Sequence, residues 1–220
     1  MVLFHGSEVI VETPKYAFGK PDNDYGQGFY CTEDIELARE WACQNPKGGF
    51  VNSYEINIDR LRVLEFDRSD IMPWLALLLS NRIVRYSSPI EKKTAAYIID
   101  RFSKDISKYD IIKGYRADDS YFTIVRSFLS NTISLDQLGA AMKFGKLGWQ
   151  ICLKSQRSFE LIRYTASEPV DGETYHRKWM ERDVRAREQF YTMLEAGIVK
   201  GVFARDILDK EMTADELRIQ

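Results

Sequence analysis

The segment Asp24-Tyr25-Gly26-Gln27-Gly28-Phe29-Tyr30-Cys31-Thr32 constrains this chain more than any other. Two glycines and three aromatics lie in and just before a short β-prone run, and helix-starting residues follow at once. Glycine takes φ > 0 and admits a second backbone or a ligand to close range. Aromatic side chains add flat faces at low entropic cost. A strand that leaves such a turn and feeds a helix suits a grip on a flat ring.

At 220 residues the chain fits one domain, or one domain with an appendage. Its 45% hydrophobic and 29% charged residues are an ordinary globular mixture. The net charge of -2 supplies no global field toward nucleic acid or a membrane. Cys31, Cys43 and Cys152 form no CxxC pair and read as reduced thiols, as in a cytoplasmic protein. His5 and His176 lie too far apart in sequence to suggest zinc, and no metal is expected. No basic stretch precedes Val2-Leu3-Phe4, so no signal peptide is expected. The longest apolar run, Trp74 to Leu79, is too short for a bilayer.

Hydrophobic periodicity divides the chain into short strands and helices, an α+β arrangement. Val2 to Phe4 reads as a strand that ends at His5-Gly6-Ser7, and Val9 to Val11 as a second piece. Thr13 to Tyr25 is a loop, with Asp22-Asn23-Asp24 a solvated turn. Gly28 to Thr32 is a strand, and Thr32 caps a helix that runs to Gln44. Phe50 to Ile58 alternates as a strand does, with Leu61 to Phe66 its partner. Helices are expected over 70–84, 91–108, 118–130 and 135–144, the last capped by Ser134. Further strands are expected over 110–115, 149–153 and 158–164. Composition shifts at Ser167-Glu168-Pro169, which divides a core of residues 1–167 from a helical extension of 168–220. In that extension Arg177, Lys178, Arg182, Arg185 and Arg187 alternate with acids, the pattern of a solvated helix face.

Four residues stand out as chemistry. His5 ends a strand beside Gly6 and Ser7. Tyr30 follows Gly28, and Trp41 lies on the next helix. Gln150 sits in the apolar strand Trp149-Gln150-Ile151-Cys152-Leu153. Taken alone, His5 fits a satisfied histidine near a turn, and Tyr30 and Trp41 fit core packing. A buried, unpaired amide costs a few kcal/mol, so Gln150 must meet a partner or a ligand.

Taken together, His5-Gly6-Ser7, the Gly26-Gln27-Gly28-Phe29-Tyr30 strand entry and the late Gln150 strand resemble the ADP-ribosyltransferase superfamily. The similar branch includes poly-ADP-ribose polymerases and diphtheria toxin. More narrowly, the chain is similar to a bacterial toxin-like family grouped with those enzymes. Its members share a His-Gly-Ser start, an Asp-aromatic-Gly-x-Gly-Phe-Tyr-x-Thr segment, an Ala-Asp-Asp-like turn (here Ala117-Asp118-Asp119) and a Gln-bearing late strand. The likeness covers residues 1 to about 165.

The resemblance implies a split β-sheet core with an NAD cleft, inserted helices, and transfer of ADP-ribose from NAD with loss of nicotinamide. It implies that His5 hydrogen-bonds a ribose hydroxyl, that Gly6 meets the carboxamide through its backbone, and that Ser7 and Gly28 border the dinucleotide. Tyr30 and Trp41 would sandwich the nicotinamide ring. His5, Tyr30 and Gln150 would fill the three triad positions, where the best-known members have His, Tyr and Glu. Gln150 can orient a hydroxyl but carries no charge, so Asp118 and Asp119 become candidate acids, and Gln150→Glu is expected to raise turnover. The partners implied are NAD, a protein or nucleic-acid acceptor, and a small antitoxin protein. No membrane partner is implied. A module that binds NAD or ADP-ribose without chemistry stays open as the alternative.

Overall fold

The computed structural model describes residues 1–67, 70–117, 119–144, 148–197 and 200–217. Its strands form two separate sheets. β1 (Val2–Ser7), β3 (Gly49–Ile56) and β7 (Ile162–Val170) make an antiparallel sheet in the order β1-β3-β7. β2 (Phe29–Cys31), β6 (Trp149–Leu153), β5 (Ile111–Tyr115) and β4 (Val63–Glu65) make the second, in that order. Its pairs are antiparallel except β4 beside β5. With eight helices among the described residues, the architecture is mixed α+β.

Several expected boundaries change, each for a visible reason. β1 runs on through Ser7, because His5, Gly6 and Ser7 pair with Asn52, Val51 and Phe50 of β3. Val9 to Val11 is not a strand. Its polar backbone is satisfied by β3 side chains instead: Asn52 Oδ1 accepts from Val11 N at 2.8 Å, and the Tyr54 hydroxyl donates to the Val11 carbonyl. The cap of α1 (Ile35–Ala42) is Asp34, whose Oδ1 accepts from the amides of Glu36 and Leu37. Thr32 makes only the turn before it, accepting from Asp34 N.

The Leu61–Phe66 stretch does form a strand, but not beside β3. β4 pairs in parallel with β5. A parallel pair needs a long crossover, and α2 (Ile71–Asn81) and α3 (Pro89–Phe102) provide it. The expected strand over 158–164 begins instead as α6 (Gln156–Leu161), because Ser155 caps it by accepting from Ser158 N. β7 then continues to Val170, so the 167/168 division falls inside a strand, and α7 (Gly172–Glu195) starts after it.

The largest apolar cluster lies on one face of the second sheet. Trp74, Leu75 and Leu78 of α2 pack there with Ile98 of α3 and with Tyr121, Ile124 and Phe128 of α4 (Asp119–Leu129). α5 (Leu135–Ala141) and α8 (Ala204–Asp209) add Leu138 and Ile207. A smaller cluster fills the space between the sheets, with Leu3, Tyr54 and Ile56 from one and Ile111, Ile151 and Leu153 from the other. Strand side chains alternate. Ile151 and Leu153 therefore face this inner cluster while Cys152 faces the helices, and Gln150 shares the Cys152 face. No helix among the described residues is long and apolar enough to cross a membrane.

Charge clamps α7 to α1. Arg182 makes a two-pronged contact with Glu40, 2.6 Å from Nε to Oε2 and 2.6 Å from Nη2 to Oε1. The Glu40 side chain is only 5% exposed, so its charge depends on this fork. Lys178 and the Tyr175 hydroxyl reach Glu36, and His176 contacts the Cys43 carbonyl. The helix read as a solvated face is thus half an interface, although the Arg187–Asp183 pair at i,i+4 spacing is present as expected. Arg182→Ala strands a buried carboxylate. It should lower unfolding stability by about 3 kcal/mol, measurable in a denaturant titration, whereas Arg205→Ala, at an exposed pair, should change it by less than about 0.5 kcal/mol.

Candidate functional site

A cleft of about 660 Å³ opens beside the junction of the two sheets. His5, Gly6, Gly28, Tyr30, Trp41 and Gln150 all line it. Ser7 is not among the lining residues; its hydroxyl donates to the Val9 carbonyl and accepts from Asn52 Nδ2. Asp118 lies outside the described residues. Asp119 begins α4, and its side chain is outside them too.

His5 is placed by backbone geometry. Phe4 and Thr32 exchange hydrogen bonds of 2.8 and 2.9 Å, bridging β1 to the end of β2. The next residue, His5, then meets the Tyr30 carbonyl through Nδ1 at 2.7 Å and leans on Phe29. Burial holds the imidazole below its ordinary pKa of 6.5, against a smaller upward pull from the Tyr30 carbonyl. A neutral ring facing a carbonyl must carry its hydrogen on Nδ1, which leaves Nε2 as an acceptor for a hydroxyl.

Tyr30 is anchored at both ends. Its hydroxyl accepts from Tyr25 N at 3.0 Å and donates to the Gly26 carbonyl at 2.6 Å, closing the glycine turn from within. Its ring stacks on Tyr25. Burial pushes the phenol far above its usual range, so it stays neutral. Lys154 Nζ holds the same turn from outside, through the carbonyls of Tyr25 and Gln27.

The two lining glycines have packing reasons as well. A Cβ on Gly6 would sit 2.0 Å from the Ala38 carbonyl oxygen of α1. A Cβ on Gly28 would sit 2.3 Å from Cys152 Sγ and 2.7 Å from the Leu153 carbonyl oxygen. Gly6 therefore lets α1 lie on β1, which brings Trp41 to the cleft. The Trp41 indole Nε1 is buried without a hydrogen-bond partner. The Arg116 guanidinium covers one ring face, 4.9 Å from its centroid, so a second cation meets this ring only on its other face or after Arg116 moves.

Gln150 has found protein partners. Its Nε2 donates to Asp24 Oδ2 at 2.7 Å and to the Tyr115 carbonyl at 3.1 Å. Both partners are acceptors, which fixes the amide's orientation. Asp24 is the residue that sequence reasoning misplaced. It is only 5% exposed and lines the cleft, whereas Asp22 is exposed as a solvated turn should be. Its Oδ2 also accepts from Ala117 N at 2.9 Å. Oδ1 is buried with no hydrogen-bond partner, and Arg82 Nη1 stands 3.8 Å away. Burial raises the carboxyl above its ordinary value, while the Ala117 and Gln150 hydrogen bonds and the charges of Arg82 and Arg116 pull it down.

The remaining walls come from elements to which the sequence assigns no specific role. Lys15, Phe18 and Gly19 form the outer edge, held by Gln27 Nε2 on the Ala17 and Gly19 carbonyls. Trp179, Asp183 and Arg187 line the cleft from one face of α7, at i, i+4 and i+8. Around the cleft, Lys15, Arg82, Arg116 and Arg187 stand against Asp24 and Asp183, an excess of two cations that suits an anionic ligand. No group of three or more His, Cys, Asp or Glu among the described residues is arranged to hold a metal.

Comparison with known proteins identifies a family. The model of a family described as "Protein of unknown function (DUF3990)" matches residues 1–164, so the chain belongs to that family. No curated protein and no solved structure matches the chain. The α7 wall lies beyond the matched residues.

Two outcomes follow from this geometry. Gly6→Ala should lower stability by at least about 1–3 kcal/mol, as overpacking against a helix backbone does, read as a fall in melting temperature. For His5 the unfolded chain takes up a proton first, because its pKa there is the higher one. Stability is then full above about pH 6.5 and declines below it, until the folded state's own lower pKa is passed. His5→Asn, whose Nδ2 can still donate to Tyr30, should flatten that slope in melts from about pH 5 to 8.

Proposed function

We propose that this member of the DUF3990 family is an NAD-dependent mono-ADP-ribosyltransferase with an ADP-ribosyltransferase-like split-sheet core. The observation that carries it is the convergence of His5, Gly6, Gly28, Tyr30, Trp41 and Gln150 on one cleft, although they come from β1, α1, β6 and β2 with the turn into it. Packing accounts for Gly6 and Gly28, and the polar groups of His5, Trp41 and Gln150 on the same opening are what a ligand would use. The excess of cations suits a dinucleotide diphosphate. The unpartnered Trp41 N–H suits a ligand acceptor, which fits a carboxamide or a phosphate oxygen.

In that reaction the bond between nicotinamide and ribose C1′ breaks, and the acceptor adds to C1′ through an oxocarbenium-like transition state. His5 contributes a neutral acceptor at Nε2, suited to a ribose hydroxyl. Tyr30, with its hydroxyl tied into the turn, contributes a fixed ring edge and face rather than a proton. Gln150, with both amide hydrogens engaged, has its carbonyl oxygen left to orient a hydroxyl. The acceptor is a protein or nucleic acid, and the chain is the toxin of a toxin–antitoxin-type pair with a small protein as its antitoxin. A second reading, a module that binds NAD or ADP-ribose without reaction, is favoured by the engagement of the Gln150 amide with Asp24 and Tyr115.

Incubation with labelled NAD and cell lysate separates them. A transferase passes label to a macromolecule and releases nicotinamide, with both signals reduced at least about tenfold in His5→Ala and Tyr30→Ala. Calorimetric binding of NAD with no nicotinamide release selects the binding module. No binding of NAD or ADP-ribose rules out both.

A further inference from the structure

The transition state just described develops positive charge, and Gln150 carries none to meet it. Beside it stands Asp24. The two hydrogen bonds that Asp24 Oδ2 accepts, from Ala117 N and Gln150 Nε2, need an oxygen but not a charge. An asparagine oxygen would serve both. The charge itself is costly here, since the side chain is nearly buried and Oδ1 lacks a hydrogen bond. Arg82 and Arg116 offset part of that cost, but Arg82 comes no nearer than 3.8 Å, and the cleft that Asp24 lines offers a further reason for a carboxylate.

We propose that Asp24 is the negative charge of the site and acts through Gln150 as its positioning residue. This rests on the transferase reading. The Gln150 amide has two hydrogens and one carbonyl. Asp24 Oδ2 takes one hydrogen at 2.7 Å and the Tyr115 carbonyl takes the other, so the carbonyl oxygen is the part of the amide left for a ribose hydroxyl. A carboxylate behind an amide polarises it, making that oxygen a stronger acceptor, and its own charge, on the wall of the same cleft, favours the oxocarbenium. Together Asp24 and Gln150 do what a single glutamate would do, with charge and contact divided between two residues. The C1′–N bond breaks with its electron pair leaving on nicotinamide. A lone pair of the acceptor forms the new bond to C1′, and the acceptor's proton passes to water. Asp24 stays ionised throughout.

Charged and titratable groups from several elements act on this carboxylate. Arg82 follows α2, Arg116 follows β5, Tyr30 lies on β2, Cys152 lies on β6, and Tyr25 is next in sequence. Because the ionised form is the active one, turnover is lost as pH falls through the Asp24 pKa, which burial holds above the ordinary carboxylate value.

The test uses the full chain, with nicotinamide release for kcat, calorimetry for the NAD Kd, and melting as a check on folding. Asp24→Asn should cut kcat about a hundredfold, leave Kd within about threefold, abolish the acid limb of the pH profile, and melt no lower than wild type. Gln150→Glu sets a second carboxylate against Asp24 and should lower turnover, with the acid limb moved to higher pH. Asp24→Asn with wild-type kcat and an unchanged pH profile overturns the proposal while the transferase reading stands. So does a Gln150→Glu enzyme faster than wild type, since that is how an isolated third triad position behaves. Wild-type protein that binds no NAD, or binds it and releases no nicotinamide, overturns the transferase reading and this proposal with it.

Discussion

Two backbone hydrogen bonds between Phe4 and Thr32 are the bridge between the sheets among the described residues, and the cleft follows from them. They set β1 antiparallel to the end of β2, so the residue after Phe4 meets the residue two before Thr32. That places the His5 imidazole on the Tyr30 carbonyl. The same bridge turns the chain at Thr32 into α1, which folds back over β1 at Gly6 and delivers Trp41. Beyond this bridge the sheets diverge, and apolar side chains from both close the space on one side. The cleft opens where the pairing ends.

A second constraint acts on charge. The cleft gathers more cations than acids, and its one deeply placed acid, Asp24, is held by donors rather than by a close ion pair: Arg82 approaches only to 3.8 Å. Glu40 shows the opposite solution, a buried acid gripped by both prongs of Arg182. The contrast separates a carboxylate held by opposite charge from one held by hydrogen-bond donors. Glu40 fixes α7 on α1 and so sets where Trp179, Asp183 and Arg187 stand. The helix beyond the family-matched residues thereby completes the wall of a site whose floor lies within them.

Much of the site was legible in the chain, because its backbone demands specific residue types. Glycines at Gly6 and Gly28 announced close approaches, although the approaching groups are α1 and β6 backbone as well as any ligand. Gln150 was recognisable as an amide that must find partners, and it has two. Asp24 was hidden by its neighbours: Asp22 and Asn23 make the run look like a solvated turn, and only the chain's return through Ala117 and Gln150 buries it. Strand partners were equally hidden. Alternation marks β4 as a strand but cannot distinguish β3 from β5 as its neighbour, since both pairings bury the same face. The Ser155 cap decided the local contest at Gln156–Leu161, where a short apolar run fits either period.

The sequence by itself determined most of the longer periodic elements, the α+β class and the turn that carries Tyr30, because these depend on residue size, φ preference and spacing along a few neighbouring positions. Only the tertiary structure decided which strands pair, that Asp24 lies buried against Gln150, and that α7 walls the cleft. Those outcomes depend on long-range closure, where a carboxylate, an amide and a helix face gain their meaning from groups more than a hundred residues away. No local pattern records which distant donor will arrive.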